Sequence, residues 1–481
     1  MSKMKWIVLI LMLTLSFSAC TKGSDVADED AKQALKDLQM QTITVADLEK
    51  EKDIQIIDIR SADLYLGWEN EKGNSGHILN AMDFPVSWFT YEKSQENINI
   101  ELKRRGLDKT KKTVIYSNDN VLEEDYKKFQ EVGFDNLYAL EYGFNQYVLD
   151  GKKTERLEGY QIYVGPQWVE DLINGKKPQG YDNNDYKIVE ITLGSEKELY
   201  EKGHIDGAVN ISADDLNHVL GPRNLADYEV IPLEKQLTFW DLPTDEKIKE
   251  VLENNGITKD TTVILYASEK ATTAANRAAL VMDYAGVKDI RFLNGGKVLW
   301  QLENRSLVSR IEKLEKRDFG ATIPQNPEII YQYEDELKLI KDPNAVIASV
   351  RSWDEYLGKE SGYTYIGEAG DIKGSRFAYA GSNPYAMEDF RNLDNTMFNY
   401  KLIADRWEKW GIVPNKTVSF HCGTGWRASE TYYIAKALGW EELGVYVGGW
   451  YQWTKKPNSP VKEKELPEDA PEQKPMEYFY K

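Results

Sequence analysis

The stretch Thr417-Val-Ser-Phe-His-Cys422, continued by Gly423-Thr-Gly-Trp-Arg-Ala-Ser429, decides how this chain folds. A β-branched and aromatic run reads as a strand, and Ala428 onward carries a helical pattern. Gly423 and Gly425 between them mark a tight loop. The strand half returns twice upstream, as Thr113-Val-Ile-Tyr-Ser117 and Thr262-Val-Ile-Leu-Tyr-Ala267. Each copy follows a glycine pair, Gly106-Leu107, Gly256-Ile257 or Gly411-Ile412, and the spacing from that glycine to the block's last residue is 11 in every case. Three equal spacings define an internal repeat.

The rest of each repeat keeps one order. Strands ending in Asp58-Ile-Arg60, Glu190-Ile-Thr192 and Ser349-Val-Arg351 come first. Glycine turns follow: Gly76-His-Ile-Leu-Asn-Ala81, Gly203-His-Ile-Asp-Gly-Ala208 and Gly370-Asp-Ile-Lys-Gly-Ser375. After each block come a helical stretch, a short strand and the turns Gly143-Phe144, Gly295-Gly296 and Gly448-Gly449-Trp450. Continuous apolar strands alternating with helices predict an α/β protein whose parallel sheets are covered on both faces.

This order resembles the rhodanese family, which residues 42–455 match in three tandem copies. The third copy is closest to the thiosulfate sulfurtransferase branch, through Arg351-Ser-Trp-Asp-Glu-Tyr356, Leu393-Asp-Asn-Thr-Met397 and the loop after Cys422. The resemblance implies a five-stranded parallel sheet flanked by helices in each copy. The expected domains are residues 42–160 and 161–320, both inactive, and the catalytic residues 328–455. A charged segment with Pro457, Pro460, Pro467, Pro471 and Pro475 occupies residues 456–481 and is expected to strap onto a neighbouring domain.

Cys422 falls at the C-terminal edge of a parallel strand, where α/β folds place ligands. Gly423 and Gly425 let successive N–H groups curl inward, and a helix follows, so the loop is expected to favour a thiolate. The resemblance implies that this thiolate takes the outer sulfur of a donor such as thiosulfate. The resulting persulfide passes the sulfur to a thiol or cyanide, with no metal or organic cofactor. Gly423, Thr424, Gly425, Trp426 and Arg427 form the expected substrate loop, Arg427 holding the anionic donor, with Arg376 assisting. His421 should point to the opposite sheet face, in a structural role. Asp371 and Ser349 depart from the family's usual histidine and aspartate.

Ser117 and Ala267 occupy the Cys422 position in the other copies. Alanine has no nucleophile, and Ser117 is followed by Asn118-Asp119-Asn120 in place of a glycine-rich cationic loop, so both read as inactive. The alternatives are a non-catalytic envelope binding module and a cysteine phosphatase. The phosphatase loop spaces cysteine and arginine by five residues, whereas four separate Cys422 from Arg427. His77 and His204 read as structural, and no metal constellation is apparent.

The net charge of -19 repels phosphate backbones and argues against nucleic acid. Lys3 and Lys5, the apolar residues 6–19 and Ser18-Ala19-Cys20 resemble a bacterial lipoprotein signal, with residues 1–20 as leader and Cys20 lipidated. Residues 21–41 then read as a polar tether. The expected location is the cell envelope, anchored to a membrane outside the cytoplasm. Cys422 is then the one thiol left, with no disulfide partner.

Overall fold

The computed structural model describes residues 40–268, 272–311, 313–462 and 466–471. The leader, Cys20 and residues 21–39 of the tether lie outside the described residues. No helix among the described residues is long and apolar enough to cross a membrane.

Three five-stranded sheets form, and their strands pair in one repeated order. In the first sheet the order is Thr42–Ile43, Leu137–Leu140, Thr113–Tyr116, Gln55–Asp58, Met82–Asp83. The second runs Tyr163–Val164, Asp289–Leu293, Thr262–Ala267, Tyr186–Thr192, Ala208–Ser212. The third runs Ile330–Tyr331, Leu443–Tyr446, Thr417–His421, Ala345–Ser349, Arg376–Phe377. All pairings within these sheets are parallel. Taken in chain order, the strands of each copy pair 1-5-4-2-3. The repeated block is therefore central in every sheet, which is why it reads as a continuous apolar run: Val114, Ile115, Val263, Ile264, Val418 and Phe420 are all buried.

The first and third blocks end under the glycine turns of their copies. The amide of Phe144 donates to the Ser117 carbonyl at 2.9 Å, and the amide of Trp450 donates to the Cys422 carbonyl at 2.8 Å. These bonds pin the point where strand gives way to loop.

The described part of the tail, residues 456–462 and 466–471, pairs with its own copy, whereas the composition points to a neighbouring domain. Val461–Lys462 pairs antiparallel with Asp371–Ile372 of the same copy, and Trp453 Nε1 donates to the Pro460 carbonyl at 3.0 Å. The same device closes the other copies, with His77–Ile78 against Thr154–Glu155 and a bridge between His204 and Val308. The pairing is a repeat feature, hidden in the sequence because a two-residue strand leaves no periodic signal.

The second and third copies share one apolar core. Helix Thr272–Ala285 lies against helix Trp426–Ala437, with Ala274, Ala278, Ala428 and Ala435 fully buried. Small side chains allow the close approach, which places the second copy beside the loop after Cys422.

Candidate active site

Cys422 is 1% exposed, at the floor of a cavity of about 320 Å³. The third copy contributes Tyr363, Tyr365, Pro384, Tyr385, Thr424, Trp426 and Arg427 to its walls, and the second copy contributes Leu193, Arg223, Trp240 and Thr273. Five aromatic rings thus surround one thiol.

Two glycines make the loop possible. A Cβ on Gly423 would lie 2.4 Å from the Tyr363 ring. Gly425 has φ +81°, and a Cβ there would come 2.9 Å from the Val447 backbone. The N–H groups of Gly423, Thr424, Gly425, Trp426 and Arg427 find no acceptor among the described residues. Helix Trp426–Ala437 starts within this set, so its positive end and the free amides suit an anion at the loop.

Thr424, Trp426 and Arg427 line the cavity, and Gly423 and Gly425 shape the turn. Arg427 lines the cavity with its charge already engaged. Its Nη1 and Nη2 each donate at 3.0 Å to the two oxygens of Glu355, and Nη2 also donates to the Tyr363 hydroxyl at 2.7 Å. Only Nε is buried without a partner. Burial alone would favour the neutral guanidine, yet Glu355 holds Arg427 well above the usual arginine range. Arg376 is not at the site. It pairs with Asp469 through contacts of 2.5 and 3.2 Å and is absent from the cavity wall. Its carboxylate lies 93 residues downstream, beyond the reach of local reading.

His421 turns away from the cavity, its Nε2 3.2 Å from Asp371 Oδ1, both side chains buried. Burial would raise the Asp371 carboxyl, but His421 and Arg351 pull it well below the usual range. Ser349 Oγ donates to Asp371 at 2.7 Å. The two departures from the family pattern therefore meet in one hydrogen bond.

Tyr363, Tyr365, Tyr385, Trp240 and Arg223 carry no sequence signal, since they stand on irregular segments with no period. Behind Trp240, the fully buried Arg277 donates from Nη2 to the Trp240 carbonyl at 2.8 Å. Burial lowers this guanidinium to about 10, against the pull of Asp241 and Cys422.

The matching positions elsewhere hold no such arrangement. Asn118, beside Ser117, accepts from Arg60 at 3.2 Å and Asn70 at 3.1 Å, and Asp119 pairs with Lys72 at 2.8 Å. Ala267 borders a smaller cavity of about 70 Å³. His77 bonds Tyr400 and His204 bonds two backbone carbonyls, contacts that serve packing.

A parallel sheet present three times, with a cysteine at the end of its central strand in one copy, defines the class. The rhodanese-like domain model matches residues 43–150, 165–303 and 333–456, and the chain belongs to that family. It is 37% identical to the thiosulfate sulfurtransferase YnjE of Escherichia coli over 84% of this chain and 88% of that protein. The sulfur carrier protein TtuD of Thermus thermophilus is 25% identical, over 61% of this chain and 93% of its own. Among solved structures, the anaerobic ergothioneine biosynthesis enzyme from Chlorobium limicola, in complex with trimethyl histidine, superposes with a TM-score of 0.79 at 32% identity. That match covers 89% of this chain and 100% of that one. A cysteine-persulfide form of EanB with ergothioneine matches equally well, at a TM-score of 0.79 and 32% identity. The chain is a transferase of the sulfurtransferase type.

Proposed function

We propose that Cys422 carries sulfane sulfur as a persulfide, taking it from thiosulfate or a similar donor and passing it to a small acceptor such as a thiol or cyanide. The observation that carries this reading is the buried Cys422 facing an aromatic cavity beside five unengaged loop amides. The Cys422 thiolate attacks the outer sulfur of thiosulfate, and the old sulfur–sulfur bond breaks with its electron pair leaving on sulfite. The terminal sulfur of the persulfide carries the charge that the amides hold. The acceptor then attacks that sulfur, and Cys422 departs as thiolate. Two displacements through one covalent intermediate give ping-pong kinetics.

Thiosulfate and cyanide are supplied together, and thiocyanate is assayed beside Cys422→Ala. The expected result is turnover by the native protein alone and a gain of one sulfur atom on Cys422 in the intact mass. Binding of donor with neither result would reduce the protein to a binding module. Hydrolysis of a phosphate ester in place of sulfur transfer would favour the phosphatase alternative.

The cavity favours a second reading of the acceptor. About 320 Å³ falls at the lower end of organic ligand sites, roughly 300–1,000 Å³, and is far larger than cyanide needs. Aromatic walls suit a quaternary ammonium, the group carried by the trimethyl histidine bound to the Chlorobium enzyme. Persulfidated protein mixed with trimethyl histidine should lose its extra sulfur and yield a sulfur-bearing product. An unchanged persulfide leaves the thiol or cyanide acceptor. For location, we propose a lipid anchor at Cys20, which a diacylglyceryl mass at the mature N-terminus would verify.

A further inference from the structure

Two arginines reach the Cys422 cavity, and they differ in what they have left to give. Arg427 shares Glu355 with Arg351, whose Nε lies 3.1 Å from Oε1, so the carboxylate already serves two cations. Arg223 comes from the second copy and has no carboxylate within ion-pairing distance among the described residues. Its guanidinium lies 4.9 Å from the Trp240 ring centre and 5.7 Å from that of Tyr365. These rings themselves stack at 5.1 Å with planes 25° apart.

The backbone around Arg223 is fixed to the third copy. Thr364 Oγ1 donates to the Arg223 carbonyl, and the amide of Leu225 donates to the Thr364 carbonyl at 3.1 Å. A cation stacked on rings and tied at its main chain loses little freedom when it binds an anion. The need for such a charge is plain from composition. A chain of net charge -19 repels anions at long range, so an anionic substrate requires a local cation that is not already neutralised.

We propose that Arg223 binds the anionic end of the small molecule in the Cys422 cavity, making the cysteine-less second copy part of the active site. This inference rests on the Cys422 reading above. The ligand chemistry is an oxyanion that a guanidinium holds through two N–H groups: the SO₃ end of thiosulfate or the carboxylate of an acceptor. With thiosulfate, Cys422 gains the outer sulfur and sulfite leaves carrying the bond's electron pair, so no outside oxidant is needed. Arg223 then faces a leaving group whose charge grows as the bond breaks.

The experiment compares native protein, Arg223→Gln and Arg223→Lys in separated half-reactions. Loading of Cys422 is followed by intact mass at graded thiosulfate, and discharge at graded trimethyl histidine. Losing a charged hydrogen bond corresponds to tenfold or more, about 1.5 kcal/mol upward. Arg223→Gln is therefore expected to raise the half-saturating concentration about tenfold in one half-reaction, with the limiting rate much less affected and Lys recovering part of the loss. A shift in loading assigns the anion to the donor, and a shift in discharge assigns it to the acceptor. Unchanged concentration dependence in both overturns the inference. If the native protein does not load at all, the Cys422 reading fails instead. Calorimetric binding of thiosulfate and of trimethyl histidine to Cys422→Ser, with and without Arg223→Gln, then still decides the role of Arg223: equal affinities for both would refute it.

Discussion

Charge at the reactive centre is settled by single carboxylates. Glu355 is wholly buried, and although burial pushes its carboxyl upward, Arg427 and Arg351 hold it below the usual range. Glu336 shows what happens without such a partner. It is buried on helix Tyr333–Leu339, accepts from Ser419 Oγ of the central strand, and leaves Oε2 without a partner. Burial raises its carboxyl from 4.5 to about 8, with nearby Asp335 adding to the rise. Between these values the unfolded chain releases a proton that the folded one keeps, so stability falls as pH rises through that window. The size is on the order of a few kcal/mol, at about 1.4 kcal/mol per unit. Glu336→Gln keeps an acceptor for Ser419 and removes the titration. Thermal unfolding midpoints at pH 5 and pH 8.5 should show a smaller fall for the variant than for the native protein. Parallel pH profiles would exclude Glu336 as the source.

At the scale of the element, each sheet edge holds one acid and one cation beneath its glycine turn, though the chain supplies them from different positions. In the first copy Asp58 accepts from Arg60 at 2.9 and 2.6 Å and from the Tyr116 hydroxyl at 2.7 Å. The second copy has Glu190, the Tyr266 hydroxyl at 2.7 Å and Lys297 at 3.1 Å, the lysine standing where Phe144 and Trp450 stand elsewhere. In the third copy the acid has moved to Asp371, with Ser349 at 2.7 Å, Arg351 at 3.5 Å and His421 at 3.2 Å. Asp371→His alone takes a buried carboxylate away from Arg351 and His421, leaving Arg351 with Glu355, and should destabilise by about 3–5 kcal/mol, as breaking buried pairs does. Ser349→Asp with Asp371→His restores the first copy's arrangement and should recover part of the loss. Denaturant unfolding of the double-mutant cycle is expected to show a coupling of about 1–3 kcal/mol; additive effects would mean that the two positions do not substitute for each other.

The same elements show what was legible beforehand. The strands, their order and the Cys422 loop could be read because the glycine spacing and apolar runs repeat along the chain. The exchange between Ser349 and Asp371 reads as a loss, since a sequence does not show that two side chains 22 residues apart meet in one hydrogen bond. Arg376 looked available because its partner Asp469 is remote in the chain. The cavity walls escape a local reading for a related reason: Trp240 and Arg223 belong to a copy that has Ala267 in place of the cysteine.

Across the whole molecule, the three copies are joined by unlike junctions. The second and third share a continuous apolar core, where Phe292 meets Tyr433 edge to face at 4.9 Å and the alanine-rich helices pack. The first copy keeps two apolar clusters centred on its own residues, one of them touching Leu393 of the third copy, and adds Tyr65, Leu66 and Trp68 to the shared core. Its junction with the third copy is rich in polar bonds. Trp88 Nε1 donates to Asp394 at 2.6 Å, Arg105 donates to Asn392 at 2.6 Å, and Asn399 donates to Asp83 at 2.8 Å and to the Tyr65 hydroxyl at 2.9 Å. Each such bond adds only about 1 kcal/mol net, because water replaces it on opening, whereas exposing a shared core loses about 25 cal/mol for every Å² of apolar surface. The first copy should therefore open as its own unit, and the other two together. Hydrogen exchange at rising denaturant measures this directly. Amides of Val114, Ile115 and Tyr116 should exchange at lower denaturant than those of Val263, Ile264, Val418 and Phe420, which should exchange in step. If the second and third copies separated from each other before the first detached, the cavity over Cys422 would lose Trp240 and Arg223 on local opening, and the apolar junction would not be what holds the active site together.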